Sequence, residues 1–306
     1  MNTSSTTTGQ PGRTVRSVRG LILASVLLAG LFLALPGAAQ DKPDDNAVWT
    51  AFISWFKAAP LGGDPFGAYA AKLGQEGVPD AEIQRRLATI TRLFSERPEG
   101  VEAFYDRTFS KPATGNPVQD GFASAPSDFV IEAAKGLKPG TALDLGTGQG
   151  RNAVHLARQG WDVTGLDISQ AGLDAARGNA AKAGVRIQTV KADYSSFEFG
   201  VEQWDLILME FAWAPVSDPD FVAKIEQSLR PGGMVLFEHF VNTSKYSYAP
   251  MIRALEPGAL KNYFPGLEIL SYEEQDHKAD WGGPGSRVVR MLARKRSKAP
   301  DASLEE

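Results

Sequence analysis

Few stretches restrict a fold as tightly as ALDLGTGQGRN, from Ala142 to Asn152. Apolar residues leading into glycines at 146, 148 and 150, and then into a helix-forming segment, describe a strand, a tight turn and a helix. Gly148, Gly150 and Ala153 satisfy the G-x-G-x-x-G/A spacing, in which glycines let a cofactor approach the backbone and a helix N-terminus faces it. In a dinucleotide site that helix end carries a pyrophosphate. Here Asp144 stands two residues before Gly146, close to the carboxyl end of the strand. A carboxylate so placed would repel a pyrophosphate in a cleft of low dielectric. S-adenosylmethionine (SAM) has no phosphate and presents an ammonium and a sulfonium, so Asp144 suits it better than NAD.

From about Ser127 onward, apolar runs alternate with helix-length segments. The strands expected are 141–145, 162–166, 186–191, 206–209 and 234–239, with helices over 152–159 and 169–183 among the crossovers. A helix and two further strands, 267–273 and 287–293, come after them. This pattern predicts an α/β fold: a doubly wound, mostly parallel seven-stranded sheet of Rossmann-like type, with a helical N-terminal extension. Such sheets bind ligands at the carboxyl ends of their strands. Asp167, in VTGLDIS, lies at one such end, where an acidic residue takes ribose hydroxyls. Asp193, in VKADYSSFEF, lies at another and is placed to accept from an adenine amine, with Ile168 and Tyr194 on the ring faces. Three acidic strand ends make an electronegative cleft, which favours a cationic cofactor. The alternative for the glycines is an ordinary tight turn, and for Asp167 and Asp193 it is helix capping.

These motifs in this order, LDLGTGQG, GLDIS, KADY, WDLILMEF and LRPGGMVLFEHF, resemble the class I SAM-dependent methyltransferases over about residues 127–296. The segment GQGRNAVHLARQGWDVTGLDIS is similar to the tellurite-resistance and related small-molecule methyltransferases. Thr147 departs from the cysteine found in many relatives. The resemblance implies that Asp144, Gly146, Gly148 and Gly150, on the turn that also carries Thr147 and Asn152, hold the methionyl part. It also implies that Asp167 holds the ribose and that Asp193 with Tyr194 holds the adenine. Glu210 and Phe211 would line the methyl-donor side.

In-line displacement at a sulfonium draws chiefly on proximity and alignment. A general base is needed only where the nucleophile arrives protonated, and Glu210, His239 and Tyr105 are the candidates. For His239 the alternative is a structural histidine at a strand end. Trp213 and Trp281 are candidate walls of a substrate pocket, or plain packing. A NAD-dependent oxidoreductase and a non-catalytic SAM-binding or sensing domain are the competing readings.

The 306-residue chain contains no cysteine, which excludes disulfides and thiolate sites, and its three histidines are dispersed, so no metal site is expected. With a net charge of −4 and no basic groove, it is expected to act on a small molecule rather than on nucleic acid. Its oligomeric state is open. Arginines at 13, 16 and 19, the apolar run 21–35 and the small residues up to Ala39 read as a signal peptide or N-terminal membrane anchor over residues 1–39, with export of the chain beyond it. Export sits uneasily with a cytosolic cofactor, which gives the sensing reading its weight. A linker is expected over 40–46, a helical extension or lid over 47–110, the SAM-dependent domain over 111–296 and a flexible tail over 297–306. Val48, Phe52, Ile53 and Phe56 share one helical face, and Ile83, Leu87, Ile90, Leu93 and Phe94 another. The aromatic cluster AFYDRTF, ending at Phe109, is the best candidate for a lid over the site.

Overall fold

The computed structural model describes residues 43–59, 64–110, 124–243, 254–276 and 286–297. The expected signal segment, Trp281 and nearly all of the expected tail lie outside them. Among the described residues, no helix is long and apolar enough to cross a membrane.

Four helices come first: α1 (Asp45–Ala58), α2 (Pro65–Gln75), α3 (Asp80–Glu96) and α4 (Pro98–Phe109). The first begins inside the expected linker, because the Asp44 side chain accepts from the Ala47 amide at 2.7 Å and caps the helix two residues before Ala47. Pro98 ends one helix and opens the next: it bars α3 from continuing, yet its missing N–H costs nothing at the first position of α4. The apolar faces read from the sequence meet here. Phe52 is fully buried, with the rings of Trp49, Phe56, Phe66, Tyr69 and Phe94 at 5.2–6.3 Å. Gly100 gives the Trp49 indole its place, since a Cβ there would lie 2.7 Å from the ring.

After α5 (Asp128–Ala134), strands and helices alternate: β1 (Thr141–Leu145), α6 (Arg151–Arg158), β2 (Asp162–Asp167), α7 (Gln170–Lys182), β3 (Gln188–Lys191), β4 (Trp204–Glu210), α8 (Pro219–Ser228) and β5 (Leu229–Val241). The strands β6 (Leu267–Asp276) and β7 (Arg287–Lys295) complete a seven-stranded sheet in the order β3-β2-β1-β4-β5-β7-β6. The first five strands run parallel, and β7 is antiparallel to both β5 and β6. Alternate residues face opposite layers: Leu143, Leu145, Ile207, Met209 and Phe237 enter one core, and Ala142, Leu206, Leu208 and Leu236 the other.

The structure differs from expectation at several points: the third strand starts at Gln188 rather than Arg186, β4 and β5 extend beyond 206–209 and 234–239, and the expected helix ahead of β6 is, among the described residues, only a 3-10 turn at Ala259–Asn262. Because the order reverses between β1 and β4, the loops after these strands diverge and open a crevice. The N-terminal helices pack over that side. Asp106 of α4 accepts from Ser169 Oγ at 2.6 Å and from the Ala171 amide at 3.1 Å, and so covers the N-terminus of α7; Glu102 pairs with Lys191 at 2.6 Å.

Candidate active site

The crevice at the carboxyl ends of β1, β2 and β4 is a cleft walled on its outer side by α4. Its floor is the glycine turn. The amides of Gly146 and Thr147 donate to the Leu166 carbonyl at 2.8 and 3.0 Å, fastening the turn to β2. Gly148 (φ +52°) and Gly150 (φ +80°) take left-handed backbone that only glycine adopts without strain. A Cβ on Gly148 would also sit 2.8 Å from the Phe109 ring, and one on Gly150 the same distance from Ala176 Cβ. The turn is therefore close-packed on both sides.

Asp144, 3% exposed, accepts from Thr147 Oγ1 at 2.7 Å. Burial pushes its carboxyl up to about 7, the nearby Glu210 charge adds to the rise, and the Thr147 hydrogen bond and Arg151 oppose it. Asp167 accepts from the Gly148 amide on Oδ2 and from the Ser169 amide on Oδ1, both at 2.8 Å. Burial raises it to about 6 against those two bonds. Asp193 is half-buried, and its Oδ1 takes the Ser195 amide at 2.8 Å and the Ser195 hydroxyl at 2.6 Å. Both aspartates thus cap local turns, as the capping alternative has it, while lining the cleft. Ile168 and Tyr194 line it too, and the Tyr194 hydroxyl donates to the Ala212 carbonyl.

Glu210 ends β4 with its side chain buried in the wall. The Asn152 side-chain Nδ2 donates to Oε2, and Arg151 Nη2 lies 3.1 Å from the same oxygen. The loop after it places Phe211 (φ +49°) and Trp213 (φ +53°) on the cleft in left-handed conformations that are costly for aromatic residues. Tyr105 of α4 meets Trp213 with ring centroids 5.2 Å apart. Burial holds the Tyr105 phenol well above its usual range, with the Asp167 charge adding to the effect, so it is a donor and a poor base.

The cleft thus gathers the expected cofactor residues other than Gly150, which packs against Ala176, together with Tyr105 and Trp213. His239 stays outside it. It is 3% exposed and lies behind Phe211, 6.2 Å between ring centroids, and it does not line the cleft. The reason is strand alternation: on β5 Glu238, not His239, sits level with Glu210. Sequence reasoning missed Glu238 and Arg151, and within the AFYDRTF segment it gave Asp106 no role of its own. Two glutamates ending neighbouring parallel strands were visible in MEF and FEHF, but pairing them requires the register. Among the described residues there is no acidic or histidine group able to hold a metal.

Five carboxylates, Glu96, Asp144, Asp167, Asp193 and Glu210, line this cleft against two arginines, Arg97 and Arg151, of which Arg151 is paired with Glu210. A pyrophosphate would be repelled, whereas the ammonium and sulfonium of SAM would relieve the buried Asp144, so the residues fit that cofactor.

Comparison with known proteins agrees. A methyltransferase domain model matches residues 142–233. Hemagglutinin 1 of Eikenella corrodens is 29% identical over 54% of this chain, and TehB of Haemophilus influenzae, named as a probable SAM-dependent methyltransferase, is 28% identical over 55%. The matches span only 58% and 61% of those two proteins. Release factor glutamine methyltransferase of Neisseria gonorrhoeae is 31% identical over 61% of this chain and 67% of its own length. With the sheet order and the acidic glycine-turn cleft, these likenesses establish that the chain belongs to the class I SAM-dependent methyltransferases.

Proposed function

We propose that the protein transfers a methyl group from SAM to a small molecule held between the end of β4 and α4. The observation that carries this reading is the cleft itself: acidic along the cofactor residues, and aromatic where Tyr105, Phe211 and Trp213 meet. SAM, when bound, supplies an activated methyl group on a sulfonium. The chain's part is to hold and align. Asp144 and the glycine turn receive the methionyl end, Asp167 the ribose, and Asp193 with Ile168 and Tyr194 the adenine. Phe211 and Trp213 present apolar surface to the acceptor, and α4 excludes water from above. In-line displacement then results from proximity, with Glu210 as the cleft carboxylate nearest the role of base.

The acceptor is small in this reading because α4 and the loop after β4 enclose the cleft, leaving a narrow space for it beside the cofactor. Leu21–Leu35 supports export or membrane anchoring of the domain.

Calorimetric titration of the protein with SAM, S-adenosylhomocysteine and NAD in parallel tests the reading. Binding of the first two without NAD is the expected result. Binding of NAD alone overturns it, and binding of none moves the chain to the non-catalytic class.

A further inference from the structure

Glu210 and Glu238 are register partners at the ends of β4 and β5, and the Phe211 amide donates to the Glu238 carbonyl at 2.8 Å. Glu210 forms part of the cleft wall, and Glu238, 1% exposed, is buried beside it. Each has its own arginine: Arg151 lies 3.1 Å from Glu210 Oε2, and Arg290 Nε donates to Glu238 Oε1 at 2.9 Å. Glu238 Oε2 accepts from Ser127 Oγ at 3.2 Å, and the Ser127 amide donates to Asn152 Oδ1 at 3.0 Å. The scaffold is thus complete except at one atom. Glu210 Oε1 is buried and meets no N–H or O–H of the described residues. Two carboxyl groups in contact hydrogen-bond each other only when one carries a proton.

We propose that Glu210 and Glu238 hold one proton between them and accept a second from the methyl acceptor, which makes the acceptor a neutral hydroxyl or thiol rather than an anion or an aprotic nucleophile. This inference rests on the methyl-transfer reading above. Glu210 is the catalytic residue of the pair, and Glu238 positions it and supplies the shared proton. The balance is one proton per methyl. The acceptor X–H bond breaks and its proton passes to the carboxyl pair. The electron pair of that bond forms X–CH3, and the pair from the broken S–CH3 bond stays on sulfur.

The surroundings agree with a singly protonated pair. Burial, then the Glu210 charge and their mutual hydrogen bond, together raise Glu238 to about 8 against Arg290. Facing the pair are Asp144 from β1, Arg151 and Asn152 from α6, Arg290 from β7 and Ser127 at the start of α5. Glu210 is the member of the pair on the cleft wall, where the acceptor meets it. The same cleft carries a complementary donor: Trp213 Nε1 is buried with no acceptor among the described residues, and it suits the lone pair of a hydroxyl or thiol.

The first test needs no turnover. In the whole protein with 13C-labelled glutamate, with and without S-adenosylhomocysteine, one carboxyl resonance is expected to titrate near pH 8. It should vanish in Glu238→Gln, whose amide keeps a partner for Arg290 and Ser127, and move down in Glu210→Gln. Complete ionisation of every glutamate below pH 6 overturns the shared proton without any variant having to fold. The second test measures release of S-adenosylhomocysteine from SAM with catechol and benzyl mercaptan as protic probes, and with pyridine and dimethyl sulfide as aprotic ones. Turnover of a protic probe is expected, reduced about 100-fold or more in Glu210→Gln. In Glu238→Gln the ionisation near pH 8 should disappear from the kcat profile while the KM for SAM stays unchanged. Turnover of aprotic probes only, or of no protic probe while SAM binds calorimetrically, overturns the acceptor class. Failure of SAM to bind overturns the methyl-transfer reading instead.

Discussion

The amide of Gly148 donates to Asp167 Oδ2 at 2.8 Å, so the glycine turn after β1 and the acidic end of β2 form one hydrogen-bonded unit. The second oxygen of Asp167 holds the Ser169 amide at the start of α7. Each oxygen keeps a further lone pair, and the carboxylate lies on the cleft, where two ribose hydroxyls could be received. Asp167→Ala is therefore expected to weaken SAM binding by about 1.5–3 kcal/mol, the range for hydrogen bonds to a charged group, or roughly 10- to 150-fold. Calorimetry reads this directly, and an unchanged affinity removes the ribose assignment.

The buried acids make a prediction about pH. Asp144 is raised to about 7, Asp167 to about 6 and Glu238 to about 8, all above their unfolded values near 4. Between the unfolded and folded pKa the native state binds more protons than the unfolded chain, so its stability falls as pH rises through that window. The ligand-free protein should lose melting temperature from about pH 4 to pH 8. Because SAM brings positive charge to Asp144, its binding near pH 6 should release protons, and the loss should shrink when SAM is present. Calorimetry in buffers of different ionisation enthalpy measures the release. Proton uptake, or a Tm that climbs toward pH 8 without ligand, contradicts the assignment.

Asp106 bears on access to the site. It joins α4 to the N-terminus of α7 through Ser169 and Ala171, two and four residues beyond Asp167, while Phe109, three residues further along α4, covers Gly148. Asp106→Ala removes both hydrogen bonds at a cost of about 1 kcal/mol, as for a lost helix cap, and leaves the N-terminal aromatic core untouched. A helix that opens to admit the cofactor should then open more often. Stopped-flow mixing with SAM is expected to show faster association and faster dissociation than in the parent. Unchanged rates would show that α4 is a fixed wall.

Why some of this was legible from sequence and some not comes down to the range of the interactions. The turn at Gly146–Gly150 and the acidic ends at Asp167 and Asp193 are local signals, each set within a strand, its loop and the next helix, and Gly146, Gly148, Asp167 and Asp193 all line the cleft. His239 stands out in the sequence because histidine is the residue whose charge changes near neutral pH. Its placement behind Phe211 depends on the register of β5 against β4, which no local pattern encodes. Glu238 and Arg290 meet for the same reason: they are paired across antiparallel strands 52 residues apart in the chain. In the N-terminal helices the apolar spacing is plain, but the use of Pro98 as both stop and start requires knowing that two helices meet there.

Trp213 supplies a prediction about the empty and filled cleft together. Its Nε1 is a buried donor without a protein acceptor among the described residues, and such a group costs about 1–3 kcal/mol when left unpaired. Phenylalanine keeps an aromatic surface against Tyr105, 5.2 Å away between centroids, and carries no donor. Trp213→Phe should therefore leave the ligand-free protein as stable as the parent or more so, and leave SAM affinity near the parent value, because the residues assigned to the methionyl, ribose and adenine parts lie on the loops after β1, β2 and β3. The loss should appear in KM for the methyl acceptor. Thermal unfolding, calorimetry and steady-state kinetics separate the three effects. A ligand-free variant that unfolds well below the parent would mean that the indole N–H is already satisfied, by solvent held in the cleft, and that Trp213 acts on the fold rather than on the substrate.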